Sequence, residues 1–535
     1  MIRTGPCERG VIVSTAPVED VCSKYSKPWI LAATILGSSM VSIDGTALSV
    51  ALPIIQNDLG VPLSTVLWVV NAYSLGLAAL MLLGGSAGDR YGRRRMFVIG
   101  IALFTVMSLI CGLSASAPQL IAGRALQGLG GALLVPANLA IIGAVFDERE
   151  RGKAIGTWAA FGAVTGALGP VLGGWLVDTV SWRAVFFLNL PIALVTLLIT
   201  WRHMPETRNL AAVGELDWPG AILVTAALGT LALGLTKAGN VGWNHPLVVA
   251  ALAAAVCLLI AFIRTESLRA SPMVPLGLFR SRNFSGANLL TLFLYGALTG
   301  VFFLLPFNLI QVQKFAATTT GAVFLPVTII IAGLSRWSGT LQDRIGARWP
   351  LVIGPVITAI GFALLAWPGA GGSYWTNFFP PMVTIGFGMA VVVSPLTTTV
   401  MNSVSETQTG IASGINNSVE EVSSLLAVAL FGTVALAIFQ QALPGHLALA
   451  GFDPSSDTAR AAEVIGNTLA AGPIPSFVGG ADRAQLEAAL NDAFLDSFRV
   501  MMLAAAAIAL FSAVFAALMI DRDSAAGAAP GKGTH

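Results

Sequence analysis

Long apolar runs follow one another along this chain, separated by turns too short to be domains. A helix needs about 20 largely apolar residues to cross roughly 30 Å of hydrocarbon. By that measure the runs at 28–55, 65–86, 96–114, 119–146, 153–177, 184–201, 218–237, 246–263, 284–311, 319–339, 349–367, 378–400, 410–440 and 498–520 each qualify as a span. Lipid offers no hydrogen-bond partner to an open backbone, so such a chain folds as a bundle of helices. The composition agrees, with 55% hydrophobic and 10% charged residues. The expected fold class is therefore an all-α integral membrane protein.

Several chemistries fall away at this point. A net charge of +2, with basic residues scattered over many short loops, gives no face for nucleic acid. Cys7, Cys22, Cys111 and Cys257 lack metal-ligand spacing, so neither a zinc site nor a disulfide framework is expected. No Walker loop is present, which removes ATP as a direct energy source. Gly84-Gly-Ser86-Ala-Gly88 spells a nucleophile elbow, but it lies at a helix end with no strand before it, and the four histidines sit in loops or the tail. No enzyme, cofactor or metal is expected.

Charge sets the orientation. Residues 1–27 carry charges and no apolar core, and read as a cytoplasmic tail. Placing them inside gathers Arg90, Arg93, Arg94, Arg95, Arg149, Arg151, Lys153, Arg202, Arg208, Arg264, Arg269, Arg280, Arg282, Arg344, Arg348 and Arg522 on the cytoplasmic side. The opposite loops keep only Arg183, Lys237, Lys314, Arg460 and Arg483. The acidic stretch 442–496 then falls outside, as a loosely ordered loop with a short helix near 481–491. An even number of spans returns 522–535 to the cytoplasm. The expected location is the inner (cytoplasmic) membrane, with both termini cytoplasmic.

A charged turn occurs twice. Gly85-Ser-Ala-Gly-Asp89-Arg90-Tyr-Gly92-Arg93-Arg94-Arg95 follows the second run, and Gly339-Thr-Leu-Gln-Asp343-Arg344-Ile-Gly346-Ala-Arg348 follows the tenth. Glycines let so short a turn reverse, the acid suits a neighbouring helix N-terminus, and the arginines hold one membrane face. Equivalent turns after the second helix of each half divide the chain into six-helix bundles at 28–202 and 284–521, with an extra hairpin at 216–266.

These residues resemble the major facilitator superfamily, in its fourteen-helix drug:proton antiporter branch (the QacA/EmrB-like group). Gly85–Arg94 fits the family's loop motif and 339–348 its weaker counterpart. Ile43-Asp44-Gly45-Thr46 with Val50-Ala51-Leu52-Pro53 looks like the first-helix motif, Arg124-Ala-Leu-Gln127-Gly128 the fourth-helix motif, and Gly169-Pro170-Val-Leu-Gly173-Gly174 the fifth-helix motif associated with antiporters. Trp182-Arg183, Phe186 and Asn189-Leu-Pro191 are also typical. Two positions depart from the pattern: Thr165 stands where similar antiporters carry glycine, and Glu420-Glu421 lie in a stretch where close relatives carry a basic residue.

The charges inside the spans mark candidate chemistry, because each is costly in lipid. Asp44 is expected to carry a proton in exchange for substrate, or else to be a structural acid capped by Ser42 or Thr46. Arg124 needs an interior partner, and Asp44 is the obvious one, as a state-dependent pair or a fixed one. Glu420 and Glu421 lie about 100° apart on one helix, so at most one faces a cavity squarely; alternatively both snorkel. Gly162, Gly166, Gly169 and Gly173 form a stripe that, with Pro170 and Gly174, would hinge against the matching helix of the other half. Asp89 and its arginines would latch the cytoplasmic gate when the pore faces outward, and Arg336 would anchor the second loop. Trp68, Asn71, Tyr73, Phe161, Phe293, Tyr295, Phe302 and Phe303 are candidate cavity walls.

The expected function is a monomeric transporter in the lipid bilayer that exchanges protons for a small hydrophobic or cationic compound by alternating access. A symporter, an exporter of one metabolite, and a non-transporting sensor or scaffold are the alternatives.

Overall fold

The computed structural model describes residues 12–13, 25–208, 216–405, 408–453, 462, 465–466, 468–469, 474 and 478–521. Both expected terminal tails lie largely outside the described residues. Among the described residues, 14 helices are long and apolar enough to span a bilayer. In the first half these are α1 (Lys27–Leu59), α2 (Leu63–Tyr91), α3 (Arg93–Gly112), α4 (Ala117–Val145), α5 (Glu148–Thr179) and α6 (Ala184–His203). A hairpin follows, α7 (Trp218–Val241) and α8 (Pro246–Leu268). The second half contains α9 (Arg282–Val312), α10 in two pieces (Ala317–Ala322 and Leu325–Ile345), α11 (Arg348–Leu365), α12 (Phe379–Asn402), α13 (Thr409–Leu449) and α14 (Gly480–Met519). A two-residue parallel pair, β1 (Ile12–Val13) with β2 (Thr207–Arg208), is the only extended pairing among the described residues.

Both charged turns reverse on a glycine at the same point of the repeat. Gly92 has φ 115° and Gly346 φ 78°, a region that L side chains rarely enter. The repeat seen in the letters is thus a repeat of backbone conformation.

The helices group as two bundles related by exchange. The second helix of each half meets the fifth helix of the other: α2 packs on α13 and α5 on α10. Hairpin helix α7 packs on α8, α2 and α13, and so straddles one of these two seams. Thr433 of α13 donates to the Leu235 carbonyl of α7 at 3.0 Å, and Asn240 of α7 donates to the Ser64 hydroxyl of α2 at 2.9 Å. Outer helix α8 has only 17% of its apolar window buried, as a lipid-facing helix should. The end of the hairpin nearer Trp218 is tied down by Asp217, which caps α7 through the Gly220 amide (2.9 Å) and pairs with Arg269 (2.8 Å).

One expectation is corrected here. The stretch 442–496 is not a loose loop throughout, since α13 runs on to Leu449 and α14 already begins at Gly480. The expected short helix at 481–491 is the first part of α14. Both helices continue past the apolar layer as a packed pair, where His446 of α13 meets the Asp496 carboxylate of α14 at 2.8 Å. Hydropathy measures only the lipid-crossing part of a helix.

We call the membrane face that carries the start of α1 and the end of α14 the basal face, and the opposite one the far face. The α5–α10 seam is closed at the far face. Asp178 of α5 accepts from the Ala317 amide (3.1 Å), the Thr318 amide (2.8 Å) and the Thr318 hydroxyl (2.6 Å) of α10. A methyl on Gly174 would run into the Ala317 carbonyl, so the backbones touch there. Towards the basal face, Gly162 and Gly166 on α5 and Gly333 on α10 have open space beside them, and Phe161 and Ile329 are 51% and 64% exposed. The other seam keeps contact at both ends, Leu67 against Gly432 and Leu82 against Gly414. The two halves therefore close at the far face and part along α5–α10 at the basal face.

Candidate functional site

Asp44 lies on α1 with no exposed surface, and a carboxylate there needs donors. It has three. Arg124 Nη1 on α4 donates to Oδ2 at 2.5 Å, while Gln127 Nε2, one turn further along α4, and Asn189 Nδ2 on α6 donate to Oδ1 at 2.8 and 3.0 Å. Arg124, itself 1% exposed, also donates to the Gln127 amide oxygen (2.9 Å) and the Val69 carbonyl (3.3 Å). Its guanidinium lies 4.1 Å from the Tyr73 ring centre and 5.9 Å from that of Phe186. Asn189 continues to Ser108 of α3 (2.9 Å), which donates to the Phe186 carbonyl (2.8 Å). Five helices of the first half thus enclose one charge pair.

The expected pairing of Asp44 with Arg124 is what the structure contains. Neither Ser42 nor Thr46 caps the acid, because the Thr46 hydroxyl donates to the Ser42 carbonyl at 2.7 Å. Sequence reading missed Gln127 as a ligand of Asp44, and Asn189 likewise. The signal for them was their position: neutral amides in apolar spans also need partners. The network is sealed inside the first half and does not line the space between the halves.

Glu420 and Glu421 present a different case. Among the described residues neither carboxylate accepts a hydrogen bond or forms an ion pair, and both are only half-buried on α13. As successive residues of one helix they differ by about 100° in direction, on the helix that packs against α9 of its own half and α2 of the other.

The charged turn at the basal end of α2 makes its own contacts. Asp89 pairs with Arg93 one turn later (2.7 Å), and Arg93 reaches the Ala140 carbonyl of α4 (3.0 Å). Arg90 lies 5.8 Å from the Tyr91 ring, and the Arg94 guanidinium donates to the Trp201 carbonyl at 3.3 Å. The acid that meets a helix N-terminus is not Asp89 but Glu206, which accepts from the amides of Arg94 (3.1 Å) and Arg95 (3.2 Å). Its carboxylate fills the space beside Gly92, where a Cβ would stand 2.6 Å from it. Gly85 lies against Pro136 of α4. In the second turn Arg344 is exposed, and the side chains of Asp343 and Arg336 lie outside the described residues.

The glycine stripe of α5 divides, which corrects the expectation of one hinge against the other half. Gly169 and Gly173 close on Thr46 and Ala47 of α1, within the same half, whereas Pro170 and Gly174 meet Gly321 and Ala317 of α10. Adjacent residues differ by about 100°, so Gly173 and Gly174 serve different neighbours. Asp178, one turn beyond Gly174, was missed because an acid near a loop carries no distinctive pattern. Among the candidate wall residues, Phe293 instead stacks on Phe515 of α14 (5.5 Å), and Phe303 is packed against Phe307. Asn71 is fully buried with neither end of its amide partnered.

Comparison with known proteins follows the same lines. A model of the Major Facilitator Superfamily matches residues 34–428. The multidrug resistance protein Stp of Mycobacterium tuberculosis is 32% identical over 89% of this chain and 89% of its own length. The tetracenomycin C resistance and export protein of Streptomyces glaucescens is 31% identical over 92% and 91%. A solved bacterial homolog of the human lysosomal transporter Spinster, in an inward-facing and unoccupied conformation, shares the fold with TM-score 0.65 at 18% identity, covering 93% of this chain and 97% of that one. With fourteen candidate spans among the described residues, two six-helix bundles and a charged turn after the second helix of each, the chain belongs to the major facilitator superfamily.

Proposed function

We propose that this multi-pass membrane transporter exports small hydrophobic or cationic compounds in exchange for protons. Its similarity to resistance and export proteins over nine-tenths of both chains supports export. The observation that carries the coupling is the pair of unpaired, half-buried carboxylates on α13, the helix that packs against α2 of the first half. A carboxylate held in a partly desolvated wall binds either a proton or a cation, and the two compete. The sealed Asp44–Arg124 pair is the second element: protonating Asp44 would release Arg124, so the pair is a charge store that a change of state can open. We read the basal face as cytoplasmic and the protein as a monomer of the inner membrane, with halves 28–202 and 284–521 flanking hairpin 216–266. The membrane potential supplies about 2.3 kcal/mol per charge per 100 mV, enough to bias such a cycle.

The test is reconstitution in vesicles with the basal face outward. Acidifying the lumen should drive accumulation of a fluorescent lipophilic cation, and collapsing the pH gradient should abolish it. Glu421→Gln should lower gradient-driven uptake at least tenfold while leaving gradient-independent exchange. Uptake indifferent to the gradient would overturn the antiport reading.

A further inference from the structure

The basal end of the hairpin brings two buried carboxyl groups together beside Arg269. Asp217, which caps α7, is 4% exposed, and Glu266, near the end of α8, is 2% exposed. Both turn to the same place: a methyl on Gly220 would stand 2.5 Å from Glu266 Oε1 and 2.7 Å from Asp217 Oδ2. Both also hold the chain that leaves α8. Asp217 Oδ2 accepts from the Met273 amide at 3.3 Å, and Glu266 Oε2 from the Val274 amide at 2.7 Å. Arg269 is engaged on the other side of Asp217, reaching Oδ1 at 2.8 Å. No N–H or hydroxyl among the described residues reaches Glu266 Oε1. The charged groups that face Glu266 are Asp217 from α7 and Arg269 just beyond its own helix; among the described residues α2 and α13, the other helices packed on α7, add none.

Two ionised carboxylates with one guanidinium would leave a net negative charge buried and two acceptor oxygens with no donor between them, and like charges in one site resist ionising together. A single proton removes both faults, because it neutralises the cluster and supplies the donor that Oε1 lacks. We propose that Glu266 Oε1 carries that proton and donates it in a hydrogen bond to Asp217 Oδ2, so that the basal end of the hairpin is tied by a bond that alkaline conditions on the basal side undo. When the O–H bond breaks the proton passes to water, and repulsion between the two carboxylates frees the start of α7, the end of α8 and the 273–274 segment that leads into the second half. Helix α7 lies on both α2 and α13, so the device couples basal pH to the hold of the hairpin on that seam. The inference stands apart from the antiport reading.

Glu266→Gln tests it, because the amide can donate to Asp217 and accept from Val274 whatever the pH. In the unfolded chain an ordinary glutamate gives up its proton at about pH 4.3. Stability that depends on a proton held only by the folded state is full below that value and is lost as pH rises until the site lets the proton go. The melting temperature of the full chain in detergent should therefore fall as pH is raised from about 6 to about 9, and the fall should shrink in Glu266→Gln and in Asp217→Asn, each of which leaves one carboxylate beside Arg269. Infrared spectra at the acidic end of that range should contain a protonated-carboxyl band that Glu266→Gln removes. With the four native cysteines replaced by serine, labelling of a cysteine placed at Val274 should quicken over the same range by about threefold more beside Glu266 than beside the glutamine. An infrared spectrum unchanged by Glu266→Gln, or a pH dependence of melting that neither variant reduces, would overturn the shared proton. Labelling with one pH dependence in both backgrounds would overturn the release of the 273–274 segment. Transport enters none of these measurements, so the antiport reading is tested separately.

Discussion

Asp44 and Arg124 behave as one unit because each is the other's main counter-charge in a site closed to water. Removing a single partner leaves the other ionised and buried, which costs about 3–5 kcal/mol, whereas neutralising both costs much less. Arg124→Leu should therefore lower the melting temperature in detergent sharply, and Asp44→Asn with Arg124→Gln should recover most of that loss. A double variant as unstable as the single one would show that the charges are not the reason for the fragility. This pair was legible in the letters, since a lone acid and a lone base in separate spans have little choice but each other. Gln127 and Asn189 were less legible because an amide in a span carries no charge to announce its need. Glu206 was not legible: it lies beyond α6 in a loop, and only the fold brings it to the N-terminus of α3.

Helices, taken one at a time, add the devices that hold particular states and segments. Asp178 joins α5 to α10 through three hydrogen bonds at the far face. Asp178→Ala should loosen that closure and reduce basal accessibility of the cavity, read as slower labelling of a cysteine placed at Gly166. Unchanged labelling would mean that backbone contact at Gly174 suffices. The hairpin has its own anchor in Asp217. Burial works to raise its carboxyl, but hydrogen bonds with Glu266, the Gly220 and Met273 amides and Arg269 outweigh burial and hold it below its ordinary value of 3.8. An acid depressed in the folded protein adds stability above its unfolded value and loses it as pH falls through the folded one. Asp217's share of the anchor should be intact at neutral pH and weaken only below that ordinary value, and Asp217→Asn should flatten the stability curve below about pH 4. A wild-type curve already flat there would remove Asp217 from the account. At this scale the number of helices was legible from apolar length alone. The ends of α13 and α14 were not, because those helices leave the lipid and a hydropathy ruler stops at its edge.

For the whole molecule the sequence spoke through its repeat, which divides the chain into two six-helix halves, but it is silent about how the halves meet and which face stands open. That choice is a small free-energy difference between two packings of the same helices, and no motif encodes it. Crowding the far-face contact should shift it: Gly174→Val, whose side chain has no room against Ala317, should populate the opposite state, slowing basal labelling of a cysteine at Gly166 when the four native cysteines are replaced by serine. Labelling as fast as in the parent would show that the far face yields without moving the halves. Finally, the two seams are not equivalent. With α7 lying across α2 and α13, that flank is fenced from the surrounding lipid, while among the described residues no helix lies across the α5–α10 flank in that way. A greasy compound dissolved in the basal leaflet would then find one side door instead of two, and the approach of cargo from the bilayer would be lopsided in a molecule whose two halves otherwise mirror each other's roles.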